Sequence, residues 1–220
     1  HEIAKQAMAA GATLVDRGES WDAVVYEGRL HYRDETGELS LPLPRMAGAH
    51  QADNAALAIA MLRHQSAITI PESALAAAME WTRWPARMQK LADGPLTALL
   101  PKGAEIWLDG GHNVDAGHAI AAHFASETRR IHLITGMLAN KDPSAIIAPL
   151  REKIASITVL PVPGHDHHSV EAFGPTAQPA ATFAEAFHRL TIDPARDIIL
   201  IAGTLYLAGE VLALNGQTPE

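Results

Sequence analysis

The stretch EIWLDGGHNVDAGHAIAAHFA, residues 105–125, decides how the second half of the chain is read. An apolar run ends in Asp109, two glycines turn the chain, and a helix-forming segment follows. The same strand–turn–helix unit recurs downstream. Candidate strands are LTALL (96–100), EIWLDG (105–110), RIHLITG (130–136), ASITVLPV (155–162), AATF (180–183) and DIILIAG (197–203). Helices are expected over 114–125, 143–153, 184–190 and 205–214. Several of these strands are continuous apolar runs, the pattern of strands buried on both faces. Alternating strands and helices predict an α/β fold, a Rossmann-like and mostly parallel sheet of roughly six strands with helices on both sides.

Upstream the pattern differs. Residues 2–10 are helix formers stopped by Gly11. TLV (13–15), DAVVYE (22–27), RLHYRD (29–34) and ETGELSL (35–41) read as strands and a hairpin turn. An Ala-rich helix is expected from about Asp53, taken as its N-cap, to His64. A second is expected over 72–82, with Pro71 at its first position and Glu72 in its first turn. Pro85 breaks this pattern, which predicts a domain boundary between residues 1–83 and 84–220.

Composition limits the function classes. The 220 residues are 48% hydrophobic, which suits a packed core. A net charge of −8, from 17 basic and 25 acidic residues, argues against a general nucleic-acid-binding surface. The absence of Cys excludes disulfides and thiolate chemistry within the chain. No apolar run approaches the ~20 residues that span a bilayer, and the opening has no signal-peptide pattern. The chain opens as if inside a helix and without Met, so a fragment of a longer protein is expected.

The polar chemistry of LDGGHNVDAG (108–117) has two readings. In an open α/β sheet, ligands sit at the carboxyl ends of strands, and Asp109 is at such an end. Its carboxylate could accept from sugar hydroxyls, and His112 could donate to a carboxylate or phosphate. The alternative is a capped helix, with Asn113 as N-cap, Asp115 in the first turn and Asp109 bonded to loop amides. In MAGAHQADNAALAIA (46–60), Asn54 could read an adenine edge or simply belong to a helix start. Arg87 in WPARMQ (84–89) is either a solvated linker residue or a phosphate-binding one. Lys141 and Asp142 in GMLANKD (136–142) read as an exposed loop pair. GHDHHSV (164–170) crowds His165, Asp166, His167 and His168, but the spacing fits no established metal motif, and no metal ligands are expected.

In order, GAHQADNAALAIA, WPARMQ, LDGGHNVDAG, GMLANKD and AGTLYLAGEVL resemble the C-terminal half of bifunctional dihydrofolate synthase/folylpolyglutamate synthase, within the Mur ligase superfamily. The resemblance covers the chain from residue 46 onward. It implies an ATP-dependent, Mg²⁺-requiring ligase of folate biosynthesis, cytoplasmic and monomeric, whose partners are ATP, L-glutamate and dihydropteroate or a folate. Residues 1–83 would then end the central ATPase domain, and 84–220 would form the C-terminal ligase domain. By the same resemblance Asn54 contacts adenine, Arg87 the ATP phosphates and Asp109 the ribose, while His112 acts near the incoming glutamate. The family's usual Pro-Gly-Arg is Pro85-Ala86-Arg87 here, acceptable unless position 86 requires a positive φ. Val114 replaces a usual proline, and Asn140 a common Asp. No G-x-x-x-x-G-K-[ST] loop occurs in the sequence. The Mg²⁺ ligands are likewise expected outside it, so the chain alone is expected to be inactive, with no tightly bound cofactor. The alternatives are the cell-wall amino-acid ligases of the same superfamily, a stand-alone nucleotide-binding module, and a metal enzyme built on the His-rich loop.

Overall fold

A computed structural model describes residues 2–217, which fall into two compact units, one ending at Arg83 and one starting at Trp84. Among these residues no helix is long and apolar enough to cross a membrane.

The first unit begins with α1 (Glu2–Ala9), then an antiparallel sheet of β1 (Trp21–Tyr26), β2 (Arg29–Asp34) and β3 (Gly37–Pro42), then α2 (His50–Arg63) and α3 (Glu72–Trp81). Alternation puts Trp21, Ala23, Leu30, Tyr32, Leu39 and Leu41 on one sheet face. They form a core with Ala56, Ile59 and Ala60 of α2 and Leu75 and Met79 of α3. Trp21 and Tyr32 stack at 5.8 Å between ring centroids. Tyr26 pairs with Arg29, so β1 and β2 join through the two-residue turn Glu27-Gly28, with φ of 49° and 73°. Both values are those of a type I′ hairpin, which suits Gly and Asn better than Glu.

Three expectations are corrected in this unit. TLV (13–15) is irregular and exposed; among the described residues it pairs with no strand. Asp53 is not an N-cap: α2 starts at His50, Ala49 holds the cap without a side-chain bond, and Asp53 instead binds Arg17 at 2.9 Å. Burial of Gln51 and Ala52 extends the helix a turn earlier than any capping side chain would signal. Pro71 is the extended cap residue of α3 rather than its first helical position.

One ion pair ties sheet to helix in this unit. Arg63 on α2 grips both oxygens of Asp34, Nε to Oδ2 at 2.6 Å and Nη2 to Oδ1 at 2.7 Å. The Asp34 side chain is 1% exposed. The Arg63 guanidinium holds its carboxyl well below the usual carboxylate range, against the opposing effect of burial.

The second unit has a six-stranded sheet in the order β4-β5-β9-β6-β7-β8. Its strands are β4 (Gln89–Lys90), β5 (Ile106–Asp109), β6 (Arg130–Thr135), β7 (Ile154–Val159), β8 (Gln178–Pro179) and β9 (Asp197–Ala202). All neighbours are parallel except β4, which is antiparallel to β5. Every residue of β9 is buried, as the unbroken apolar run requires of a central strand. Helices α4 (Val114–His123), α5 (Ser144–Leu150) and α6 (Phe183–His188) lie in the connections between strands, and α7 (Leu205–Leu214) follows β9. The α/β fold with a mostly parallel six-stranded sheet is therefore as the sequence predicts. At Gly117 of α4 a Cβ would sit 1.9 Å from the Ala145 carbonyl oxygen, so only glycine permits this approach to α5.

Two expected strands are absent here. LTALL holds a 3₁₀ turn, Thr97–Leu99, whose preceding amides are taken by Asn215: Leu96 and Thr97 N–H donate to Oδ1 at 3.1 and 3.3 Å. AATF is no strand either. The sheet's outer strand is the preceding pair Gln178–Pro179, and Thr182 caps α6 by accepting from Glu185 N–H at 3.2 Å. A strand cannot continue where that cap already starts a helix. The short β4 was not anticipated.

Two outcomes are expected. Glu27→Asn should raise stability by about 0.5–1 kcal/mol, or a few degrees in Tm, because Asn tolerates the left-handed turn better; thermal unfolding followed by circular dichroism checks it. Asp34→Ala should cost about 3 kcal/mol by stranding Arg63. Because folding depresses the Asp34 pKa, its contribution is present above the unfolded value near 3.8 and lost as pH falls below it. Urea titrations across this acid range should show a shallower loss in Asp34→Asn than in the parent.

Candidate functional site

Parallel strands bring their carboxyl ends to one rim, and β5, β6, β7 and β9 place the polar loops of the second unit there. Asp109, the last residue of β5, is buried and its carboxylate is already engaged. Oδ1 accepts from Gly111 N–H at 2.7 Å and Oδ2 from Met88 N–H at 2.8 Å. Arg87 Nη1 lies 3.8 Å from Oδ1, half-buried. The Ala86 carbonyl accepts from Gly110 N–H at 2.9 Å, and Ala86 N–H donates to Gln89 Oε1 at 2.9 Å.

The segment carrying Arg87 is conformationally unusual. Ala86 and Met88 have φ of 56° and 42°, both in the left-handed region. Position 86 does require a positive φ, so Ala there is not an innocent replacement for Gly. The left-handed conformation costs an L-residue about 1–2 kcal/mol. The Ala86 methyl is buried in the apolar core of this unit, which offsets part of that cost.

Past the turn, His112 Nδ1 lies 3.2 Å from the Gly110 carbonyl oxygen. A carbonyl can only accept, so Nδ1 carries the proton in this contact and neutral His112 keeps Nε2 as an acceptor. Asn113 caps α4, its Oδ1 accepting from Ala116 N–H at 2.8 Å, with Val114 at the first helical position and Asp115 in the first turn. The capped-helix reading of Asn113, and the reading of Asp109 as bonded to loop amides, both describe the chain.

The remaining loops meet at the same rim. Asp142 accepts from Ser144 N–H at 2.9 Å and from its hydroxyl at 2.7 Å; these bonds lower its pKa. His168 Nε2 donates to the Lys141 carbonyl at 2.6 Å, and Ala139 N–H donates to the Asp166 carbonyl at 3.0 Å. The GMLANKD and GHDHHSV loops are thus stitched together. His165 stacks on Tyr206 with ring centroids 3.8 Å apart, and His167 Nδ1 lies 2.9 Å from the His165 carbonyl oxygen. The three imidazoles have different partners. Among the described residues no three His, Asp or Glu side chains converge as a metal cage.

Arg87 and Asp109 therefore come together in the second unit, and His112 lies in the turn after Asp109, against the Gly110 carbonyl. Asn54 belongs to the first, exposed on α2, where Nδ2 donates to Gln51 Oε1 at 3.2 Å. Two residues escaped the sequence reading. Thr204 caps α7, accepting from Tyr206 N–H at 3.2 Å, and a Thr just before an apolar helix signals that role. Gln89 carries no such local signal.

No protein-family profile matches the chain. Among curated proteins it is 28% identical over 226 residues to folylpolyglutamate synthase of Lacticaseibacillus casei, covering 93% of this chain and 50% of that protein. A bifunctional folylpolyglutamate synthase/dihydrofolate synthase from Yersinia pestis, complexed with AMPPNP and Mn ion, superposes with a TM-score of 0.75 at 22% identity, covering 96% of this chain and 49% of that one. E. coli FolC in complex with DHPP and ADP gives a TM-score of 0.75 at 24% identity, covering 96% and 50%. The chain spans about half the length of these relatives. The resemblance read from the ordered motifs is borne out: a folylpolyglutamate synthase is among the curated relatives in sequence, and bifunctional folylpolyglutamate/dihydrofolate synthases share the fold.

Proposed function

We propose that the chain is the C-terminal part of an ATP-dependent amide ligase that joins L-glutamate to dihydropteroate or to folates. The carrying observation is the buried Asp109 beside Arg87 at the carboxyl end of a parallel strand, where α/β sheets bind ligands. Support also comes from what the relatives are named for and were solved with: folylpolyglutamate synthesis, AMPPNP, ADP and DHPP. In this reading residues 1–83 complete a central ATPase domain and 84–220 form the C-terminal ligase domain of a cytoplasmic, monomeric enzyme.

The chemistry runs in two steps. A carboxylate oxygen of the pterin substrate takes the γ-phosphoryl group of ATP, forming an acyl phosphate and ADP. The glutamate amine then attacks the acyl carbon, and the tetrahedral intermediate expels phosphate to leave the amide. Arg87 offsets phosphoryl charge as a guanidinium can. Asp109, with two lone-pair positions used by amides, retains others for ribose hydroxyls. His112 orients the reacting groups near glutamate through Nε2, and Asn54 contacts adenine. Magnesium accompanies ATP in such a ligase. The described carboxylates do not converge on a cation, Asp109 and Asp142 being engaged by amides and Ser144, so no step here is assigned to the metal. With no glycine-rich phosphate loop in its sequence, the chain by itself is expected to release no phosphate in response to glutamate.

The longer protein, given ATP, dihydropteroate and glutamate, is the test. Arg87→Ala should lower kcat/KM by about 10²-fold or more, and His112→Ala should slow ligation. Wild-type turnover in Arg87→Ala would overturn the assignment. Asp109→Ala should do more than weaken ATP binding. It leaves the Met88 and Gly111 amides unpaired, so urea unfolding of the chain alone should show a loss of about 2–4 kcal/mol. Arg87→Ala should leave that stability nearly unchanged.

A further inference from the structure

The geometry points to Gln89 as the positioning residue for Arg87: its side chain, together with Asp109, clamps a left-handed arch whose purpose is to present the guanidinium. Ala86 and Met88 flank Arg87 and both hold positive φ, 56° and 42°. Neither conformation is one a free chain keeps at such residues. Each is held by a specific acceptor. Ala86 N–H donates to Gln89 Oε1 at 2.9 Å, and Met88 N–H donates to Asp109 Oδ2 at 2.8 Å. The Ala86 carbonyl is fixed by Gly110 N–H at 2.9 Å.

Gln89 is well placed for this. Its backbone lies in β4, opposite Leu108 of β5, so its side chain starts from a fixed ladder position. It is half-buried, so water does not fully replace it as acceptor for Ala86. The arch is therefore closed at one end by Gln89 and at the other by Asp109, with the Arg87 side chain between the two clamps. Preorganisation of this kind removes the ordering cost that a long, flexible Arg otherwise incurs on meeting an anion.

The inference rests on the proposed function only for what Arg87 recognises; the experiment reads the arch itself and needs no ATP. Isotope-labelled chain is compared as parent, Gln89→Leu, Gln89→Glu and Ala86→Gly/Gln89→Leu, by amide exchange and by relaxation of the Arg87 Nε–H. Gln89→Leu removes the acceptor at similar size, and Gln89→Glu keeps it. The Ala86 amide should exchange about 10-fold faster or more in Gln89→Leu, and Arg87 Nε–H should lose order, with β6 and β9 amides unchanged. Gln89→Glu should restore both. Glycine at 86 adopts the arch without help, so the double variant should recover part of the Arg87 order. Unchanged Arg87 order in Gln89→Leu, or failure of Gln89→Glu to restore it, would overturn the role. Should Gln89→Leu fail to fold, refolding in the Ala86→Gly background supports the clamp, and continued failure there counts against it.

Discussion

A buried carboxylate satisfied by backbone amides organises the rim of the second unit. Asp109 terminates β5, yet its two oxygens reach in different directions along the chain, to Met88 before the sheet and to Gly111 after the strand. A carboxylate in such a place would be costly without those donors. With them, one side chain sets the course of the arch before the sheet and the turn that follows β5. Asn113 then caps α4, so the chain passes from strand to helix with its exposed backbone groups largely accounted for.

The structural role of Asp109 is compatible with the ribose contact proposed for it. Each carboxylate oxygen has two acceptor positions, and one amide per oxygen leaves capacity for an outside donor. The turn glycines serve the chain's own packing: a Cβ at Gly111 would fall 2.6 Å from Ala116 Cβ and 2.8 Å from Asp109 Oδ1, and one at Gly110 would fall 2.2 Å from Leu205 Cδ2. A residue held so firmly is a better acceptor for a ligand than a mobile one, since no ordering is needed when the ligand arrives.

How much could be read beforehand follows from where each signal resides. Strands β6 and β9 announce themselves, because burial on both faces demands an uninterrupted apolar run. Asn113 is legible as a cap because capping is local. LTALL misleads because a five-residue apolar run does not reveal whether a strand neighbour exists to pair with it; the partner is Asn215, over a hundred residues away. The start of α2 is hidden for the opposite reason, since Ala49 caps it with no side-chain bond. Arg87 stood out as a residue type, whereas the left-handed arch around it did not. Ala86 and Met88 as residue types give no hint of positive φ, only the glycine usual at position 86 in the resembled family raises the question there, and Gln89 acquires its role only once β4 and β5 pair. The candidate site was thus legible in its charged side chains and illegible in the backbone that aims them.

The sheet's two outermost strands have a consequence of their own. Each contributes only two residues to the ladder, and the β8 edge ends in Pro179, which has no N–H to offer. An open parallel sheet ordinarily leaves a template along its flank on which a foreign strand can grow. Here the sheet builds outward from β9 to strands that each offer a foreign strand a ladder of only two residues, so what remains open on the β8 flank is the uncovered edge of β7, Ile154–Ile157.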